Sequence, residues 1–138
     1  MTVNIVVVLI AAVVQFIVSA LSYSPLVFGK WWSQIMETSN LSKEELAKSE
    51  KEMIPFYALQ FFLTFFFTFA LANHMSLLPL ISPFEIAFWV WLGYIVPIQI
   101  ATIIWGKTKK RFWLKQAIVM TSSQFVCLMI AAFILSSF

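Results

Sequence analysis

The sequence predicts an all-α integral membrane protein: an antiparallel four-helix transmembrane bundle with a short interfacial helix between spans one and two. Three observations predict it. The 138-residue chain is 62% hydrophobic and 11% charged, where a soluble globule carries about 25% charged residues. Its apolar residues gather into stretches near the ~20 residues a helix needs to cross hydrocarbon. All nine Lys and Arg residues fall in two polar gaps between those stretches. Lys30, Lys43, Lys48 and Lys51 occupy one gap, and Lys107, Lys109, Lys110, Arg111 and Lys115 the other. The positive-inside rule then expects both basic gaps in the cytoplasm and both termini outside.

A chain of this length reads as a single four-span membrane domain, residues 1–138. The spans are expected at about 3–22, 55–78, 84–105 and 112–135. Continuous apolar runs without alternation favour helices over barrel strands. No basic residue precedes the first run, as a signal peptide would require, so an uncleaved first span is expected. Pro55 suits the first turn of span two, Pro79 and Pro83 bracket the outer turn, and Pro97 predicts a kink inside span three. Residues 42–53 should form the interfacial helix. Ser42 and Glu45 have capping-box spacing, and Glu44/Lys48 and Lys48/Glu52 stand four apart. Tyr23, Trp31, Trp32, Trp105 and Trp113 are placed to anchor the interfaces.

Tyr23-Ser24-Pro25-Leu26-Val27-Phe28-Gly29-Lys30-Trp31-Trp32 is the most distinctive string. Ser-Pro ends a helix, and Gly29 permits a sharp backbone turn, so the string reads as an aromatic elbow at the cytoplasmic interface. Here the chain resembles the small four-span proteins of domain of unknown function family 1761. That family shows a Tyr-Ser-Pro-Leu-x-Phe-Gly-Lys-x-Trp string, then a short charged helix matched by Leu41–Lys51. It also has a Trp-Leu-Gly-aromatic string, matched by Trp91-Leu92-Gly93-Tyr94. The resemblance covers nearly the whole chain and implies a fold and a topology, with no established activity to transfer. The Lys107–Arg111 stretch is more basic than the family's usual turn.

Polar side chains inside spans mark helix interfaces or cavities. Gln15, Ser19 and Ser22 lie on one face of span one, spaced four then three. Gln60, Thr64 and Thr68 form a stripe on span two, Gln99 and Thr102 on span three, and Gln116, Ser123, Gln124 and Cys127 on span four. At ~1.5 Å rise per residue Gln15, Gln60 and Gln99 fall in a similar layer, about 4–8 Å to the cytoplasmic side of the midplane, and all four helices offer amides that could meet there. Gln15, Ser19, Gln60, Thr64, Gln99 and Gln124 are therefore the candidate ligand-binding residues, suited to neutral polar or amphipathic molecules. The alternative is that these amides only lock helices together.

His74 and Glu85 flank the outer turn and are expected to form a polar pair capping the hairpin. As an acid–base or metal pair they lack further ligands, and zinc would need a third protein group. No nucleophile elbow, zinc helix motif or phosphate loop occurs, so an enzyme is the weakest class and no cofactor or metal is expected. Lone Cys127 excludes an internal disulfide and reads as a packing residue.

The partners expected are the lipid bilayer and, through headgroup contacts of Lys107, Lys109, Lys110 and Arg111, anionic lipids. Basic residues that flank apolar spans do not form a nucleic-acid patch. Phe61, Phe62, Phe65, Phe66 and Phe69 give span two a broad apolar surface for lipid or for a second copy in a homo-oligomer.

Overall fold

The computed structural model describes residues 3–37 and 40–138. Helices α1 (Ile5–Ser22), α2 (Gly29–Ile35), α3 (Lys43–Glu52) and α4 (Ile54–Leu77) come first. Then follow α5 (Pro83–Val90), a π-helical turn (Trp91–Ile95), α6 (Val96–Ile104), a 3-10 turn (Lys110–Phe112) and α7 (Trp113–Ser137). Four helical stretches are long and apolar enough to cross a membrane: Ile5–Ser22, Ile54–Leu77, Pro83–Ile104 and Lys110–Ser137. These lie within a few residues of the spans expected from hydropathy.

Local chemistry sets the boundaries. Asn4 Oδ1 accepts from the amides of Val6 (3.0 Å) and Val7 (3.4 Å), satisfying two orphan donors at the start of α1. Ser24-Pro25 follows the end of α1, where Pro disfavours helical backbone in the residue before it. Ser42 caps α3 as a capping box, its Oγ accepting from the Glu45 amide at 3.2 Å while Glu45 Oε2 accepts from the Ser42 amide at 3.1 Å. The capping-box spacing therefore does begin a short helix.

The elbow differs from expectation. It folds into a short helix, α2, and Gly29 makes no left-handed turn: no glycine in the described chain has positive φ. Its smallness serves close approach instead. A Cβ at Gly29 would lie 2.5 Å from the Ser24 carbonyl carbon and 2.6 Å from its oxygen. Tyr23 packs edge-on against Trp32, ring centroids 4.7 Å apart, joining the end of α1 to α2. After α2, Glu37 takes the left-handed conformation (φ 58°).

The Pro97 kink takes the form of a π turn just upstream. Pro97 has no N–H for the Gly93 carbonyl, and its ring would crowd that carbonyl in a regular α-helix. The turn widens before the ring arrives, with the Val96 amide bonding the Trp91 carbonyl five residues back. Trp91 Nε1 donates to the Thr121 carbonyl at 2.8 Å, fastening the widened turn to α7.

α1 lies against both α7 and α4, and α7 also packs on α5, α6 and α2. Small residues permit this: Ala11, Ala12, Ala131 and Ala132 are fully buried, allowing close backbone approach. Leu71, Ile86, Ala87 and Leu128 complete the core beside Ala131 and Ala132. Much of the remaining apolar surface is exposed, including Ile10 and Ile17 on α1 and Phe62 and Phe66 on α4.

Candidate functional site

The six candidate residues of the amide layer come together around one cavity of about 430 Å³ between the spans. Gln15 and Ser19 reach it from α1, Gln60 and Thr64 from α4, Gln99 from α6 and Gln124 from α7. Leu63, Phe67, Tyr94 and Ile98 supply apolar and aromatic wall. No carboxylate, imidazole or cationic side chain lines it among the described residues. Its volume lies in the range of small-molecule pockets, roughly 300–1,000 Å³.

Hydrogen bonding divides the amides into two kinds. Gln15, 2% exposed, donates through Nε2 to Thr68 Oγ1 at 2.7 Å and to the Ala11 carbonyl at 3.2 Å. Thr68 in turn donates to the Thr64 carbonyl at 2.7 Å, so its hydroxyl both donates and accepts. Cys127 Sγ donates weakly to the Gln15 carbonyl at 3.6 Å, joining α7 to the same node. Gln15 is thus a lock between α1 and α4.

Gln99 behaves differently. Its Oε1 is buried and has no hydrogen-bond partner among the described residues. A buried acceptor left unmet costs about 1–3 kcal/mol. Gln60 lies at the open side, its Nε2 donating to Thr64 Oγ1 at 3.3 Å while Thr64 donates to the Gln60 carbonyl at 2.9 Å. Gln116 Oε1 is also buried and unpartnered, away from the cavity wall; nothing in the structure explains it.

The outer-turn expectation requires correction. His74 and Glu85 form no ion pair among the described residues. His74 Nδ1 donates to the Ala70 carbonyl at 2.8 Å; a carbonyl only accepts, so that nitrogen carries the proton. This local bond turns the ring back along α4, while Glu85 stays exposed in the first turn of α5. A second cavity of about 370 Å³ lies near this end, between Asn4, Val8, Ser76, Pro79 and Ser136. Asn4 Oδ1 is already committed to capping α1, which leaves that cavity without a free acceptor from it.

The basic turn makes contacts that spacing did not predict. Lys109 Nζ pairs with Glu37 at 2.7 Å, and Lys115 Nζ donates to Gln34 Oε1 at 3.3 Å while lying 5.4 Å from the Trp31 ring centroid. Lys109 beside Glu37 holds that carboxyl below its usual range. Partners so far apart in sequence carry no local signal. Lys107, Lys110 and Arg111 remain exposed.

The family described as "Protein of unknown function (DUF1761)" matches residues 6–136. No curated protein and no solved structure matches the chain.

Proposed function

The chain belongs to the DUF1761 family, and because that description carries no activity to transfer, we propose from its own geometry that it is a non-enzymatic multi-pass membrane protein. Its amide-lined cavity binds a small uncharged polar or amphipathic molecule, for storage, sensing or passage. The observation that carries this reading is the convergence of Gln15, Gln60, Gln99 and Gln124, from α1, α4, α6 and α7, on one cavity that no charged side chain lines among the described residues. A glutamine offers both donor and acceptor without ionising, which suits a neutral head group at membrane depth.

Membrane placement as an antiparallel four-helix bundle is part of the proposal. Asn4 and Val8 at the start of α1 share a cavity with Ser76 and Ser136, near the ends of α4 and α7. Ser19, near the end of α1, shares the other cavity with Gln60, early in α4. Exposed Ile10, Ile17, Phe62 and Phe66 suit acyl chains, whereas on a soluble monomer they would form an improbably large apolar patch. The basic gaps orient this bundle with their side in the cytoplasm and both termini outside. There exposed Lys107, Lys110 and Arg111 meet anionic headgroups. A second copy covering the Phe62–Phe66 face is the alternative to lipid there, and a detergent-corrected mass distinguishes them.

The second reading is an accessory subunit in which the amides only join helices, favoured by the Gln15–Thr68 bond. Native mass spectrometry of protein taken gently from its membrane separates the two. The binding reading expects a retained small-molecule adduct that Gln99→Leu and Gln124→Leu lose. Wild-type protein with no adduct beyond that of the variants would favour the accessory role.

A further inference from the structure

The cavity has a side door. α4 packs against α1 and α5 but makes no extended contact with α6. Between α4 and α6 the rim of the cavity is outward-facing: Leu63 is 52% exposed, Tyr94 69% and Ile98 66%. Leu63 and Tyr94 both lie well inside their helical stretches, Ile54–Leu77 and Pro83–Ile104. An opening at that depth in a membrane-embedded protein faces acyl chains, not water.

Depth, rim and floor each restrict what can enter. The rim is apolar at Leu63 and Ile98 and amphipathic at Tyr94, which suits a hydrocarbon tail leaving the site. The floor holds Gln15, Gln99 and Gln124. Gln15 already spends its Nε2 on Thr68 and Ala11, whereas the side-chain amides of Gln99 and Gln124 make no hydrogen bond among the described residues, which suits a head group that offers an O–H or N–H donor. A charged head would be buried without a counter-charge, because no ionised side chain lines the cavity among the described residues. About 430 Å³ accommodates a head group and the beginning of a chain, with the rest of the tail outside.

Resting on the binding reading above, we propose that the ligand is an uncharged, lipid-borne amphiphile, bearing a hydroxyl or amide N–H head, that enters sideways between α4 and α6. Its head hydrogen-bonds the amides of Gln99 and Gln124 and its tail leaves past Leu63 and Ile98 into the bilayer. The π turn contributes by delivering Tyr94 to the rim while Pro97 sets the start of the helix that carries Gln99.

Photolabelling of the full chain in phosphatidylcholine vesicles tests this, using a monoacylglycerol with a photoreactive head. The expected result is labelling of cavity residues, competed by unlabelled monoacylglycerol and not by a large excess of glycerol. Leu63→Trp, at an exposed position that folding tolerates, should reduce labelling at least tenfold by filling the door, as should Gln99→Leu at the floor. An equally photoreactive fatty acid or phosphatidic acid should label the cavity at least tenfold less. Competition by glycerol with undiminished labelling of Leu63→Trp would overturn sideways access while leaving a water-fed binding site intact. Equal labelling by the anionic probes would overturn the uncharged class. No cavity labelling, with no protection by either competitor, would overturn this proposal and, if no native adduct is found either, the binding reading with it.

Discussion

Two glutamines of similar depth do different work, and only their partners distinguish them. Gln15 meets Thr68 across α1 and α4, whereas Gln99 presents an acceptor that nothing in the described chain meets. Gln15→Leu should therefore destabilise modestly, by about 0.6 kcal/mol as for other interhelical bonds in membranes; Thr68 keeps its bond to the Thr64 carbonyl and is not orphaned. Reversible unfolding in mixed micelles measures it. At Glu37, Lys109 lowers the carboxyl's affinity for protons. A depressed acid contributes above its unfolded pKa and loses that contribution as pH falls through its folded value. The carboxyl ¹³C titration of Glu37 should thus have its midpoint below the ordinary Glu range, and Lys109→Ala should return it there. Because both groups are exposed, the same substitution should barely change stability. In the sequence, spacing on each helix pointed to the glutamine layer, because polar residues in apolar spans are conspicuous. Which amide is satisfied was not legible, since it depends on side-chain reach between helices. The missing His74–Glu85 pair fails for a related reason: an i−4 carbonyl was nearer to hand than any partner across the turn.

Among the elements, the four long apolar helices lie within a few residues of where hydropathy expects them. The Ser42 capping box was equally plain, being a purely local pattern. α2 was not: the elbow forms a helix because Tyr23 and Trp32 stack and Gly29 nests against Ser24, both tertiary facts. The π turn was half legible. Pro97 announced a disturbance, but its form depends on Trp91 reaching the Thr121 carbonyl. A π turn amounts to one extra residue in an α-helix, so deleting exposed Leu92 should restore a regular helix and push Pro97 against its i−4 carbonyl. That should cost about 3 kcal/mol. In a Pro97→Ala background the deletion should cost distinctly less. A double-mutant cycle by unfolding in micelles checks this, and additive costs would mean that Pro97 does not cause the turn.

The whole molecule is arranged so that its contacts concentrate where α1 meets α7 and α4, leaving α4 and α6 apart at the mouth of the cavity. The Lys109–Glu37 and Lys115–Gln34 contacts tie the segment around α2 to the basic turn and the start of α7. An unmet acceptor beside a cavity fits a binding protein, which accepts some instability in exchange for a ligand, although Gln116 shows that an unmet acceptor also occurs away from it. The unfolding free energy of ligand-free Gln99→Leu against wild type tests this most directly. As a binding site, the cavity loses only an unsatisfied group, and the variant should be as stable as wild type or more stable by up to about 1 kcal/mol. A loss of 1 kcal/mol or more would show that Gln99 is a structural lock and would contradict the account.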